Sequence, residues 1–94
     1  MVGKYNSKNY SVDLNQYPSI QTGELPGPRS RAIHARVEKH FKGLSSQVRL
    51  FPVAFESGSG CTLTDADGNR FIDFSSGIYV TTLGHCHPKV SEAV

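Results

Sequence analysis

Polar and apolar positions along the chain change rhythm several times, and each change marks a predicted element. From Met1 to Leu25 the residues are polar and rich in Asn, Ser and Gln, with Tyr5, Tyr10 and Tyr17 among them and no helical or strand period. This stretch, 1–25, reads as an N-terminal arm, either a disordered tail or a strap lying over a partner subunit through its tyrosines. Beyond Gly27-Pro28 the period becomes helical. Pro28 suits a first helical position, where its missing N–H costs nothing, and Gly43 lies just past a plausible end, so an amphipathic helix is predicted over 28–42. Its stripe is Ile33, Val37, His40, Phe41 and Leu44, while Glu38 and Lys42 form a surface pair worth about a few tenths of a kcal/mol. His34 and His40 point to different sides of such a helix and cannot jointly hold a metal; a solvated His34 and a half-buried His40 are expected.

After a connector over 44–52 the period shortens. Val53 to Ser57 reads as a first strand, and Thr62 to Thr64 and Arg70 to Phe74 as the arms of a hairpin, giving three antiparallel strands. Asp67-Gly68 supplies the hairpin turn, because glycine takes the positive φ that a tight turn requires. Ser57-Gly58-Ser59-Gly60 reads as a flexible bend between strands. A dinucleotide fingerprint would need glycine where Leu63 stands, and no Gly-Lys-Ser/Thr follows for a phosphate loop. Asp65-x-Asp67 does not make a calcium loop either, since that motif needs Gly and Glu where Arg70 and Ser76 stand.

Composition narrows the function classes. Ten basic and eight acidic residues leave a net charge of +2 without a charge run in 94 residues, so neither a nucleic-acid nor a membrane-surface footprint is expected. No stretch is long and apolar enough for a membrane span, and the first fourteen residues contain no apolar leader and no Arg. Cys61 and Cys86, two thiols without a secretory leader, read as reduced residues, and the expected compartment is the cytoplasm.

His85-Cys86-His87 has metal-ligand chemistry but lacks the second pair of ligands that a structural zinc needs, so no metal site is assigned. The two histidines instead shape the start of a helix opening at Pro88, with Val90, Ala93 and Val94 as its stripe and Glu92 in its first turn. Pro88 to Val94 is under two turns, and isolated helices below about 12 residues are marginal in water. A piece of a larger polypeptide is therefore expected, with further elements beyond Val94.

In Asp65, Asp67, Gly68, Phe71, Ile72, Asp73, Phe74, Gly77, Ile78, Gly84, His85, His87, Pro88 and Val90 the chain resembles the N-terminal region of class III aminotransferases, with Pro26-Gly27-Pro28 to Arg31 matching weakly upstream. The resemblance covers roughly residues 26–94 and only the beginning of such enzymes, which are several hundred residues long. It implies an α/β enzyme of fold type I that uses pyridoxal phosphate to move an amino group from an amine or ω-amino acid to a 2-oxo acid. Residues 26–94 would be the N-terminal part of its small domain, an α+β piece, in a homodimer.

The resemblance places the cofactor-binding residues downstream of Val94, and no catalytic residue is assigned within the chain. Lys4, Lys8, Lys39, Lys42 and Lys89 stand in the polar arm, on helix surfaces or just after a cap, not in the desolvated setting that bonding to the cofactor requires. It also implies that the segment after the hairpin lines the substrate pocket, at Ile78 and Tyr79; ordinary packing under a loop is the competing role for both. The Ile78 position is usually aliphatic in 4-aminobutyrate and ω-amino-acid transaminases, and Thr82 departs from a common Asn. From a different class, a truncated, non-catalytic binding module is the alternative.

Overall fold

The computed structural model describes residues 17–41, Gly43 and 49–94. Its elements are helix α1 (Pro28–His40), strands β1 (Phe55–Ser59), β2 (Thr62–Asp65) and β3 (Arg70–Ile72), a single helical turn at Ser76–Tyr79, and helix α2 (Pro88–Ala93). The strands form one antiparallel sheet in the order β1-β2-β3, so the segment is α+β, as predicted.

Pairing decides where the strands lie. β1 runs two residues later than its β-favouring composition suggests, because Ser57, Gly58 and Ser59 pair with Thr64, Leu63 and Thr62 across the sheet. The expected bend at Ser57-Gly58-Ser59-Gly60 is therefore mostly strand, and only Gly60, with φ of 58°, turns the chain. Hydrogen bonds to β2 outweigh the weak strand propensity of glycine. β3 ends at Ile72 rather than Phe74 because the Asp73 carboxylate turns back onto Ser75 and Ser76. On the sheet, Phe71 meets Phe51 and Phe55 edge-on, each at a ring separation of 5.9 Å.

Around the Asp67-Gly68 turn, where Gly68 has φ of 84° as predicted, the centre of the segment is polar. Asp65 Oδ1 accepts from the N–H groups of Asp67 and Asn69 at 2.9 and 2.8 Å, and Oδ2 accepts from Asn69 Nδ2 at 2.9 Å. Asn69 Oδ1 in turn accepts from the N–H groups of Gln21 and Thr22. The end of the arm is thus docked, and Ser19 bridges Arg70 through two backbone hydrogen bonds. No strand was expected before Leu25; the edge of β3 supplies the partner that the arm's own residues lack. Tyr5 and Tyr10 lie outside the described residues.

Helix α1 starts at Pro28, as predicted, and ends at His40, where Phe41 takes an extended backbone conformation. Its Ile33, Val37 and Phe41 are exposed; Lys42 and Leu44 lie outside the described residues. The two histidines exchange their expected places. His34 is half-buried and lies 3.4 Å from Glu38, while His40 is exposed. Among the described residues Ala66, 6% exposed, is the one buried apolar side chain, beside fully buried Ser30, Asp65 and Asn69.

Candidate functional site

Residues 74–84 form a loop whose two ends meet at the turn between β1 and β2. Asp73 N–H donates to the Cys61 carbonyl at 2.8 Å, and His85 exchanges two backbone hydrogen bonds with Gly60, at 2.8 and 3.0 Å. Between these stems His85 Nε2–H donates to Asp73 Oδ2 at 2.6 Å. The pair is shielded, with side-chain exposures of 7% for Asp73 and 20% for His85. The other oxygen, Asp73 Oδ1, accepts from Ser75 Oγ at 2.7 Å and from the N–H groups of Ser75 and Ser76 at 2.8 and 3.2 Å. The Ser75 hydroxyl, then His85, then the Ser75 amide hold the Asp73 carboxyl at about 2, against a smaller opposing effect of desolvation.

Inside the loop the chain is left-handed. Ser76, Gly77, Ile78 and Tyr79 have φ of 50°, 58°, 61° and 66°. Glycine takes such angles freely, but an L-residue with a side chain loses about 1–2 kcal/mol in each, and a β-branched residue such as Ile78 is a rare occupant. The side chains of Ile78 and Tyr79, the predicted pocket residues, project outward at 73% and 87% exposure, and Phe74 is 93% exposed. The geometry brings Ile78 and Tyr79 together on one exposed turn and gives neither of them a core to pack in.

Beside the turn lies a groove of about 280 Å³ lined by Val80, Thr81, Leu83, Cys86, His87 and Val90, among others. Thr81 Oγ1 and His87 Nδ1 are buried without a hydrogen-bond partner among the described residues. The His85-Cys86-His87 run is divided between tasks. His85 turns to Asp73, Cys86 is exposed, and the His87 carbonyl accepts from the N–H groups of Val90 and Ser91 in the first turn of α2. Helix α2 opens at Pro88 as predicted. Glu92 is its fifth residue, so its first turn carries no acidic side chain, contrary to expectation.

Sequence reasoning missed the Asp73–His85 pair. Both residues stood in the matched motif, yet no periodicity relates positions 12 apart.

A sequence model of the family described as aminotransferase class-III matches residues 44–94. The chain belongs to this family. An alanine/serine racemase of Pyrococcus horikoshii is 38% identical over 90 residues, covering 96% of this chain and 19% of the racemase. An acetylornithine aminotransferase of Gloeobacter violaceus is 52% identical over 44 residues, 47% of this chain and 11% of that protein. A glutamate-1-semialdehyde 2,1-aminomutase of Geotalea daltonii is 45% identical over 58 residues, 55% of this chain and 14% of the mutase. The chain spans between 11% and 19% of the length of these relatives.

Class-III aminotransferases depend on pyridoxal phosphate, which they hold through a lysine amine and an anion-binding cradle. The described residues of this segment do not fit that task. Lys39 and Lys89 are exposed on the surfaces of α1 and α2, and neither lines the groove beside the loop.

Proposed function

We propose that this chain is the N-terminal segment of a pyridoxal-phosphate-dependent aminotransferase that moves an amino group from an amine or ω-amino acid to a 2-oxo acid. In this reading residues 26–94 begin the small domain of an α/β enzyme of fold type I, residues beyond Val94 hold the cofactor, and two copies form the working homodimer. The same reading includes a cytoplasmic location. The observation that carries the substrate assignment is the outward projection of Ile78 and Tyr79 from the strained turn at Ser76–Tyr79. Strained backbone of this kind clusters at sites that contact a ligand.

The test compares kcat/KM for a small and a large amino donor in the full-length enzyme. Tyr79→Ala is expected to shift preference toward bulkier amines and Ile78→Ala to weaken short ω-amino acids, each by about 1–3 kcal/mol, with cofactor retained. Equal losses for both donors, or loss of cofactor, count against the assignment. Reading the coding DNA past Val94 separates the enzyme from a truncated, non-catalytic module.

Isomerisation of an amino acid is a second reading, favoured by one observation. The match to the racemase runs over 96% of the chain, including the docked arm and α1, whereas that to the acetylornithine aminotransferase spans 44 residues. Following both 2-oxo acid formation and loss of optical activity from a single-enantiomer substrate discriminates the two.

A further inference from the structure

We propose that Asp73 and His85 act as a clamp that fixes the loop 74–84, and hence Ile78 and Tyr79, relative to the sheet, which makes them positioning residues for the amino donor. The donor's place at this loop rests on the reading given under Proposed function; the clamp itself rests on geometry.

Apolar burial does not hold the loop. Phe74, Ile78, Tyr79, Val80 and Leu83 are all exposed. Among the described residues, the hydrogen bonds from the N–H groups of Ile78, Val80, Thr81 and Gly84 run only within the loop, to Ser75, Ser76 and Thr81. Four successive left-handed residues persist only where the surroundings impose them. What the surroundings supply is concentrated at the base: the backbone bonds to Gly60 and Cys61, and the Asp73–His85 contact across them. One Asp73 oxygen starts the loop by accepting from Ser75 and Ser76, and the other ends it by accepting from His85. A hydrogen bond to a charged group that is shielded from water is worth more than a screened surface pair.

The sheet is shaped to receive the imidazole. A Cβ at Gly58 would lie 3.0 Å from His85 Cβ and 3.1 Å from its Cγ, so the absence of a side chain on β1 gives the ring its seat. A Cβ at Gly84 would lie 3.1 Å from Gly60 Cα, so the second stem passes close to the turn between β1 and β2. Releasing the clamp lets the turn relax away from its left-handed geometry. A donor that binds the clamped form then binds more weakly, in proportion to the fraction of molecules still clamped.

The experiment uses the full-length enzyme with its cofactor, unsubstituted and as Asp73→Asn, His85→Leu and His85→Gln. Hydrogen exchange of the 74–84 amides is followed by mass spectrometry, beside KM and kcat for an amino donor. His85→Leu is expected to speed exchange in 74–84 roughly tenfold, with α1 and the hairpin unchanged, and to raise donor KM more than it lowers kcat. Asp73→Asn is expected to act in the same direction. His85→Gln, whose Nε2 can reach the same oxygen, is expected to restore most of both. Unchanged exchange in His85→Leu, or equal damage from Leu and Gln, overturns the clamp. Exchange reads the clamp and turnover by the unsubstituted enzyme reads the activity, so failure of one is distinguishable from failure of the other.

Discussion

Asp67 Oδ2 accepts a hydrogen bond from the backbone N–H of Ser30 at 2.9 Å, across 37 residues of chain. Its partner oxygen accepts from Arg29 N–H at 2.8 Å, so the hairpin turn caps a helix whose own N-cap residue, Gly27, has no side chain to do so. Burial raises the Asp67 carboxyl, but the amides of Ser30 and Arg29, the Ser30 hydroxyl and the Arg29 charge together hold it below its ordinary range. Glycine at 27 is a steric requirement of this arrangement, since a Cβ there would collide with Asp67 Cγ.

Gly27→Ala is therefore expected to displace the Asp67 carboxylate and destabilise the fold by about 1–3 kcal/mol. Denaturant midpoints of the full-length protein read the loss. Combined with Asp67→Ala, the loss should be smaller than the sum of the two, because both remove one cap. Additive losses show that the two residues act separately.

Asn69 joins the arm to the turn through Gln21, Thr22 and Asp65. Asn69→Ala strands these partners and is expected to cost about 1–3 kcal/mol. Limited proteolysis should then cut first within 17–25, and an unchanged cleavage pattern contradicts the docking role.

The Asp73 carboxyl, held at about 2 against an ordinary 3.8, gives a pH dependence of definite sign. The folded chain binds this proton less readily than the unfolded one. The contribution is therefore complete above about pH 4 and is lost as pH falls through about 2. Exchange of the 74–84 amides, corrected for intrinsic rates, should accelerate over that window, and Asp73→Asn should remove the dependence. A native loop that opens instead between pH 6 and 8 points to a different group.

Pyridoxal phosphate and borohydride applied to the isolated 94-residue chain should label surface lysines sparsely, because Lys39 and Lys89, the lysines among the described residues, are exposed. Peptide mapping that finds one stoichiometric adduct means that this segment holds the cofactor after all.

With Ala66 as the buried apolar residue among those described, and Ile33, Val37, Phe41, Phe74 and Val90 exposed, the isolated chain is expected to self-associate or remain loosely ordered. Strong hydrogen-exchange protection across 61–74 in a dilute monomer contradicts this.

Features governed by neighbours in the chain were legible before any coordinates. Pro28 and Pro88 announced helix starts, and Asp67-Gly68 announced a hairpin with its positive φ, because the steric rules that set them act within a few residues. For Ile78 and Tyr79 the sequence left pocket lining and packing under a loop both open, and the structure gives both side chains an exposed place. Tertiary structure decided the rest. The late start of β1, the docked end of the arm, the exchanged burial of His34 and His40, the Asp67 cap and the Asp73–His85 pair all depend on partners outside the reach of a helical or strand period. Ser30 and Asp67 are 37 residues apart and Gln21 and Asn69 are 48 apart. Hydrogen bonds of that span depend on where the hairpin turn sits against the start of α1 and the end of the arm, which no local pattern encodes, so the residue types showed capacity for them but not the pairing.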